Sequence, residues 1–318
     1  MASPWRLAWR PRRLGGSLLC ALTAVASAAP PAPPPPLPQK VVAVAASLDD
    51  ARAAILVGPE GQLYAPDGHG AWLRTQGGGI GNAVLVATRG PGATVLVGAD
   101  GAPPYRHDGT AWAAIYLAMH AKAVVARGQR AVAAVGRQVF ALDHAEPQRL
   151  PDAPGPVTLV GASAGGVTIA TDRGLARLDG KSWRAIERAP RGVLALASER
   201  WAITATGAGD LKASQTITWP AGDSVTAYAA DGDTLVACAA TTAGVDLITV
   251  HRGQVAREAV PLAPPGVPVG VAVDHSHRTS IALGDGRVLV REHDTWTTTE
   301  VRDAWPAPRA GPGPATGD

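Results

Sequence analysis

Cysteine is nearly missing from this 318-residue chain, which has only Cys20 and Cys238. Two thiols so far apart, one within the first twenty residues, leave no disulfide framework to hold a core-poor domain together. Cys238, in the alternating apolar run "TLVACAA", reads as a small buried hydrophobe rather than a nucleophile. Methionine (2) and phenylalanine (1) are almost as scarce, and aromatic residues are 4%. A core must therefore come from Val, Leu, Ile and Ala, with the nine Trp placed at special positions. Lysine is confined to Lys40, Lys122, Lys181 and Lys212, and charged residues are 17%. Arg6, Arg10, Arg12 and Arg13 open the chain. Without them the balance is near neutral to slightly acidic and no basic run remains, which excludes the footprint of a nucleic-acid binder. No segment beyond the first residues approaches the ~18 uninterrupted apolar residues of a membrane span. Phosphate-loop, HExxH, GxSxG and CxxC patterns are all missing, so no catalytic residue, metal ligand or cofactor is assigned.

The chain does carry a start that reads as an export signal over residues 1–28. A positive stretch ends at Arg13, "LGGSLLCALTAVASA" follows, and Ala26-Ser27-Ala28 supplies small residues for cleavage. The expected destination is the periplasm or the extracellular space. The alternative is a membrane tether, through an uncleaved signal or through Cys20, although Leu19 is larger than a lipoprotein acceptor site prefers. Residues 29–40 follow as a Pro-rich linker, with "PPAPPPPLP" predicting an extended, semi-rigid spacer. At the other end, 304–318 is a Pro/Gly tail without period, expected to be disordered.

Between these ends, over 41–303, the chain repeats. Each unit opens on a short run of small apolar residues: "VVAVAA", "AVLVAT", "KAVVAR", "PVTLVG", "VLALAS", "VTAYAA" and "PVGVAV". Three further short strands follow each, joined by Gly-containing turns, with no helical periodicity between them. Four-stranded units at this period suit radial closure, which leaves only short, protected edges. The prediction is an all-β, seven-bladed β-propeller with four antiparallel strands per blade. Small first strands fit the crowded axis. Because units one and seven each have four strands of their own, the ring is expected to close by face-to-face packing, without ladder hydrogen bonds at the joint.

Within the units, Asp67-Gly68 precedes Trp72, Asp108-Gly109 precedes Trp112, Asp179-Gly180 precedes Trp183, and Asp294 precedes Trp296 without the Gly. A catalytic carboxylate occurs once per site, whereas this one recurs with the repeat. It reads as hairpin chemistry, with Trp opening the outer strand to fill the gap between diverging units. The "VGxxGxLYxxDGxxW" unit resembles the WD40/YVTN/BNR-like repeats of exported bacterial β-propellers, clearly in units one, two, four and seven. That resemblance implies a fold and not an activity.

A second acid series, Glu60, Asp100, Asp172, Asp210 and Asp285, is placed on the turns between second and third strands. There a ring of carboxylates could meet a cation or a basic partner. Tyr116 and His120, in the connection "YLAMH", are placed on the same side as a possible binding patch. His275-Ser276-His277 would point two rings the same way on an extended segment, but without a third ligand it reads as a solvated loop. The function expected is a monomeric binding or scaffold propeller that recognises a protein or a glycan through one face. The alternative is a propeller hydrolase or lyase working at the mouth of the central channel.

Overall fold

The structure, a computed structural model, describes residues 43–46, 54–58, 62–66, 71–76, 83–88, 95–99, 105–107, 112–115, 117, 124–125, 127–128, 130–142, 146–220, 223–274 and 276–302. The expected signal, linker and tail lie outside these residues. So do Cys20, Glu60, Asp67, Gly68, Asp100, Asp108, Gly109, Tyr116, His120 and His275. All regular elements among the described residues are β-strands, and none of them includes a helix long and apolar enough to cross a membrane.

The strands form six sheets, built from antiparallel four-strand meanders. In unit six, for example, Ser224–Asp231, Thr234–Thr241, Gly244–His251 and Gln254–Ala259 pair in sequence order. Each meander has two ends. At one, which we call the connection end, the chain arrives at the first strand, turns from second to third, and leaves the fourth. At the other, the hairpin end, it turns from first to second and from third to fourth.

Why these residues make tight hairpins is clearest in unit four. Asp179 pairs with Ser182 across the two-residue loop Gly180-Lys181, and Gly180 takes φ +59°. Positive φ at the first loop residue alone matches the turn whose twist suits a hairpin, and glycine adopts it without strain. In unit seven the equivalent loop is His293-Asp294, with His293 at φ +55°. Counting back from Trp296, the counterpart of Asp179 is therefore Glu292, and Asp294 occupies the place of Lys181. The expected equivalence of Asp294 is corrected accordingly.

First strands of neighbouring units lie side by side. Pro268–Val273 runs beside both Ser224–Asp231 and Ala43–Ala46, which runs in turn beside Ala83–Thr88. The small residues permit this approach. A Cβ on Gly161 would stand 2.7 Å from both the Leu196 Cβ and the Ser198 carbonyl carbon of the next unit, inside any real contact distance. Unit three departs from the pattern. Its first strand is cut to Val124–Val125, and Arg127–Gly128 leaves to pair in parallel with Gly161-Ala162 of unit four. That backbone also lies near Ala83–Thr88 and Ser224–Asp231, so the chain itself occupies the place where first strands of units two, four and six converge.

The tryptophans open the fourth strands as expected: Trp72 in Ala71–Gln76, Trp112 in Trp112–Ala114, Trp183 in Ser182–Ala185 and Trp296 in Thr295–Arg302. Three of them can be followed into packing against the preceding unit. Trp183 packs on the cluster that holds Val132, Ala134 and Val139 of unit three and donates from Nε1 to the Pro151 carbonyl at 2.9 Å. Trp296 packs on the cluster holding Val236, Val245 and Leu247 of unit six. Trp72, 3% exposed, packs with Val301 of unit seven and donates to Thr299 Oγ1 at 2.9 Å.

That last contact belongs to a joint of a different kind from the one expected. The eight-stranded sheet contains two four-strand meanders, Ala43–Gln76 and Pro268–Arg302, joined through their outermost strands. Ala71, Trp72 and Leu73 pair in parallel with Glu300, Val301 and Arg302. The first and last units are thus bridged by a ladder, which corrects the expectation of a joint held by apolar packing alone. The ladder is short, so its apolar stitch matters. Val301 is fully buried among Val44, Tyr64 and Trp72. Val301→Ala is expected to lower the unfolding free energy by about 2 kcal/mol, read from urea midpoints. A loss under about 0.5 kcal/mol would show that the joint does not depend on this contact.

Candidate functional site

The connection end carries a repeated irregularity. The first strand of every unit from four to seven shifts register at its second or third residue: between Val157 and Leu159, Val193 and Ala195, Val225 and Ala227, and Pro268 and Gly270. Unit two does the same between Ala83 and Leu85. Each shift is a β-bulge, in which the extra residue drops out of the ladder and its side chain is re-aimed. Thr158, Leu194, Thr226 and Val269 are those extra residues, and all four are exposed. Thr158 and Thr226 return their hydroxyls to their own second strands, donating to the carbonyls of Ala170 and Cys238, each at 3.3 Å. Leu194 and Val269 are 63% and 37% exposed, and Val267, on the connection leading into unit seven, is 70% exposed. These four bulge residues are uncharged, two of them hydroxyl-bearing and two aliphatic.

The acid series does not form one ring. Asp172 and Asp285 sit on second-to-third turns at the connection end, as expected. Asp172 stands over Gly155 of the connection from unit three. Asp285 is held by Arg287 at 2.7 Å, and that hydrogen bond, helped by the Arg287 amide against a desolvation cost, pulls its carboxyl below the usual range. Asp210 is misplaced by the sequence reading. It ends the third strand, Gly207–Asp210, and faces the hairpin end. There it is 3% exposed and accepts both a fork from Arg200, at 2.6 to 3.0 Å, and the amides of Lys212 and Ala213, at 2.9 and 3.0 Å. Burial opposes its ionisation, but the Arg200 hydrogen bonds and the two amides outweigh that and hold it below the ordinary carboxylate value. Its role is to close a turn. Of the YLAMH connection, Leu117 is described and packs beside Ile115, Ala131 and Leu142.

The hairpin end carries the residues that the sequence reading missed. At each junction from unit four to unit seven, side chains from the second and third strands, and in unit four also from the end of the first, reach into the following unit's first turn. Ser163 donates to the Glu199 carboxylate, while Thr168 and its cross-strand partner Arg177 donate to the Glu199 carbonyl at 2.6 and 3.3 Å. Trp201, fully buried, donates from Nε1 to the Gly232 carbonyl at 3.3 Å. Thr234 and its cross-strand partner His251 meet His277. His277 is not on an extended segment. It sits at φ +60° in a turn whose Asp274 Oδ1 accepts the amides of Ser276 and Arg278, an exposed loop position. The pairing of Thr234 with His251 could have been found, since a two-residue turn at 242–243 fixes that register. The meeting with His277 depends on the order of units in space.

Cys238 is fully buried, and burial pushes its thiol up to about 12, so it is unreactive in the native state.

No protein-family model matches the chain, and no curated protein matches it. Solved structures do. The β-propeller domain of Myceliophteria thermophila Cps50 (Swd1) aligns with a TM-score of 0.56 at 13% identity, over 82% of this chain and 97% of that one. YCF48 bound to the D1 peptide aligns with a TM-score of 0.53 at 13% identity, over 84% and 96%. The WD40 β-propeller domain of Doa1 aligns with a TM-score of 0.52 at 13% identity, over 80% and 93%. At these identities the likeness establishes a repeat-built propeller fold and nothing finer.

Because the native Asp210 binds a proton less readily than the unfolded one, its stabilising share is complete above the unfolded value of about 3.9 and is lost as the pH falls through the lower native value. Asp210→Asn is expected to cost about 3 kcal/mol at pH 7, by stranding Arg200. The gap to the unaltered chain should hold down to about pH 4.5 and narrow below it, as followed by urea unfolding across that range. A gap that does not change with pH would contradict the assignment.

Proposed function

We propose that this chain is an exported seven-bladed propeller, the halves of its eight-stranded sheet being two blades, and that it binds a protein segment at its connection end. The observation that carries this reading is the bulge ring. Five units use the same backbone irregularity, and in units four to seven the residues so exposed, Thr158, Leu194, Thr226 and Val269, are uncharged and half of them aliphatic. Bulges that re-aim side chains mark sites where a sheet does something besides pack. Aliphatic side chains beside hydroxyls suit an extended peptide, which offers apolar groups and backbone donors together. The YCF48 structure, whose bound ligand is the D1 peptide, is consistent with a propeller of this kind holding a peptide.

The enzyme reading has less to stand on. It needed carboxylates and histidines converging from several units at one mouth. Asp210 and His277 lie at the hairpin end, while Asp285 is tied to Arg287.

Peptides selected from a random library on the full chain test the binding reading. Leu194→Asp combined with Val269→Asp alters side chains that already face water, so stability should move by no more than about 0.5 kcal/mol per site. Peptide affinity is expected to fall at least tenfold. Unchanged affinity would remove this end as the binding surface, and loss of glycan binding instead would redirect the reading to a lectin. Export has its own test. Made in a bacterial host, the chain should be recovered outside the cytoplasm beginning at Ala29, and intact retention in the cytoplasm would contradict it.

A further inference from the structure

The unit six to unit seven junction differs from its neighbours in chemistry. At the four–five and five–six junctions the reaching groups are hydroxyls, a guanidinium and an indole, none of which changes charge between pH 5 and 8. Imidazole is the side chain that ordinarily does, and at six–seven two of them meet. His251 and His277 stand edge to face, with ring centroids 4.8 Å apart and planes at 76°. Both Nδ1 atoms are directed at one hydroxyl, Thr234 Oγ1, at 2.8 and 3.1 Å. Thr234 is 1% exposed, whereas His277 is exposed. The hydroxyl has a single proton, so it donates to one ring and accepts from the other. Asp233 settles which. Its Oδ1 lies 3.5 Å from His251 Nδ1, and a carboxylate only accepts, so the Nδ1 of His251 carries a hydrogen. His251 therefore donates to Thr234, and Thr234 donates to the bare Nδ1 of His277.

We infer that this relay is an acid-released clasp, in which His277 senses pH and His251 is a fixed donor. A second proton on His277 goes to Nδ1, the atom on which the relay ends. Thr234 then faces two N–H groups, and its own proton loses its acceptor at a buried position, which the native state disfavours. The unfolded chain takes up that proton without such a cost, so the clasp is tightest with His277 neutral and weakens as the pH falls. A second proton on His251 goes to Nε2, away from the hydroxyl, with Asp233 beside the ring to balance the charge, and the relay survives it. The other charged residues of the strands and turns that meet here offset one another. Asp231 and Asp233 of unit six and Asp274 of unit seven stand against Arg252 and Arg278, with Arg200 of unit five acting on Asp233. The Oδ1 of Asp274 is already occupied by the amides of Ser276 and Arg278. Release is confined to the hairpin end, because the apolar cluster that joins Val236 and Cys238 to Val271 and Ile281 is indifferent to pH in this range. Acid thus frees the first turn of unit seven from unit six without parting the two units.

The test follows amide hydrogen exchange in the full chain from pH 8 to pH 5, corrected for the intrinsic exchange rate at each pH. Protection of the Ser276, His277 and Arg278 amides should fall at least tenfold more than that of Gly165, in the corresponding turn of unit four. His277→Asn keeps an acceptor near the place of Nδ1, tolerates the positive φ and cannot titrate, so it should hold the turn and abolish the acid response. His251→Gln should retain that response. On the unaltered chain at pH 8, ¹⁵N NMR should find the ring hydrogen on Nδ1 in His251 and on Nε2 in His277, a readout that needs no variant to fold. An unaltered chain with no selective loss of protection, an acid response that persists in His277→Asn or disappears in His251→Gln, or a hydrogen on Nδ1 of His277 at pH 8 would each overturn the assignment.

Discussion

The arrangement depends on how closely first strands can approach one another around a shared axis. Gly161 against Leu196 and Ser198 is the tightest form of that approach, and the Ala, Val and Gly of the other first strands serve the same end. Strands that are crowded at the centre must diverge outward, so large side chains are needed at the periphery and excluded from the hub. Trp72, Trp183 and Trp296 fill the outer gaps, each against the unit before it. The same crowding explains why a bulge can expose a residue at the connection end: there the first strand has not yet entered the packed hub, and a residue near its start is free to leave the ladder.

Residues whose position depends on local geometry were legible in the sequence. Small first strands, Trp at the head of fourth strands and Gly180 in its hairpin are set by sterics within a few residues, and the structure has them where the repeat pattern puts them. Asp210 failed because "TGAGDLKASQ" offers two glycine-bearing places for a turn, and only the register of Trp201 with Asp210 decides which strand end the carboxylate occupies. The joint between units one and seven failed for a different reason. Its ladder joins residues 71–73 to 300–302, and no pattern within either unit announces a partner more than two hundred residues away. The bulge ring was also missed: an extra residue inverts the alternation of side chains, but it lies within the first three residues of each first strand, where too little of the strand precedes it for the break to show.

The two ends of the meanders divide the polar chemistry between them. At the hairpin end, side chains reach from one unit into the next, so polar residues there hold neighbours in register: Glu199 receives three donors from unit four, and His277 receives the pair from unit six. At the connection end the polar groups mostly serve their own unit, as Thr158 and Thr226 do. Polar groups occupied in holding the assembly cannot readily be turned toward a ligand without loosening it. A surface for partners is thereby better placed at the connection end, where little inter-unit bonding is at stake.

Closure through outermost strands also decides how the molecule bears mechanical load. Both ends of the described chain border the same joint: Ala43–Ala46 opens the first unit, and Thr295–Arg302 closes the last. A pull between the two ends, as when one end is held and a partner draws on the other, falls on the three-residue parallel ladder before it reaches any other unit. Should that ladder part, the intervening units keep their own pairings, and the ring becomes an open arc. The joint then acts as a clasp, and the remaining units are shielded from strain by the one that yields.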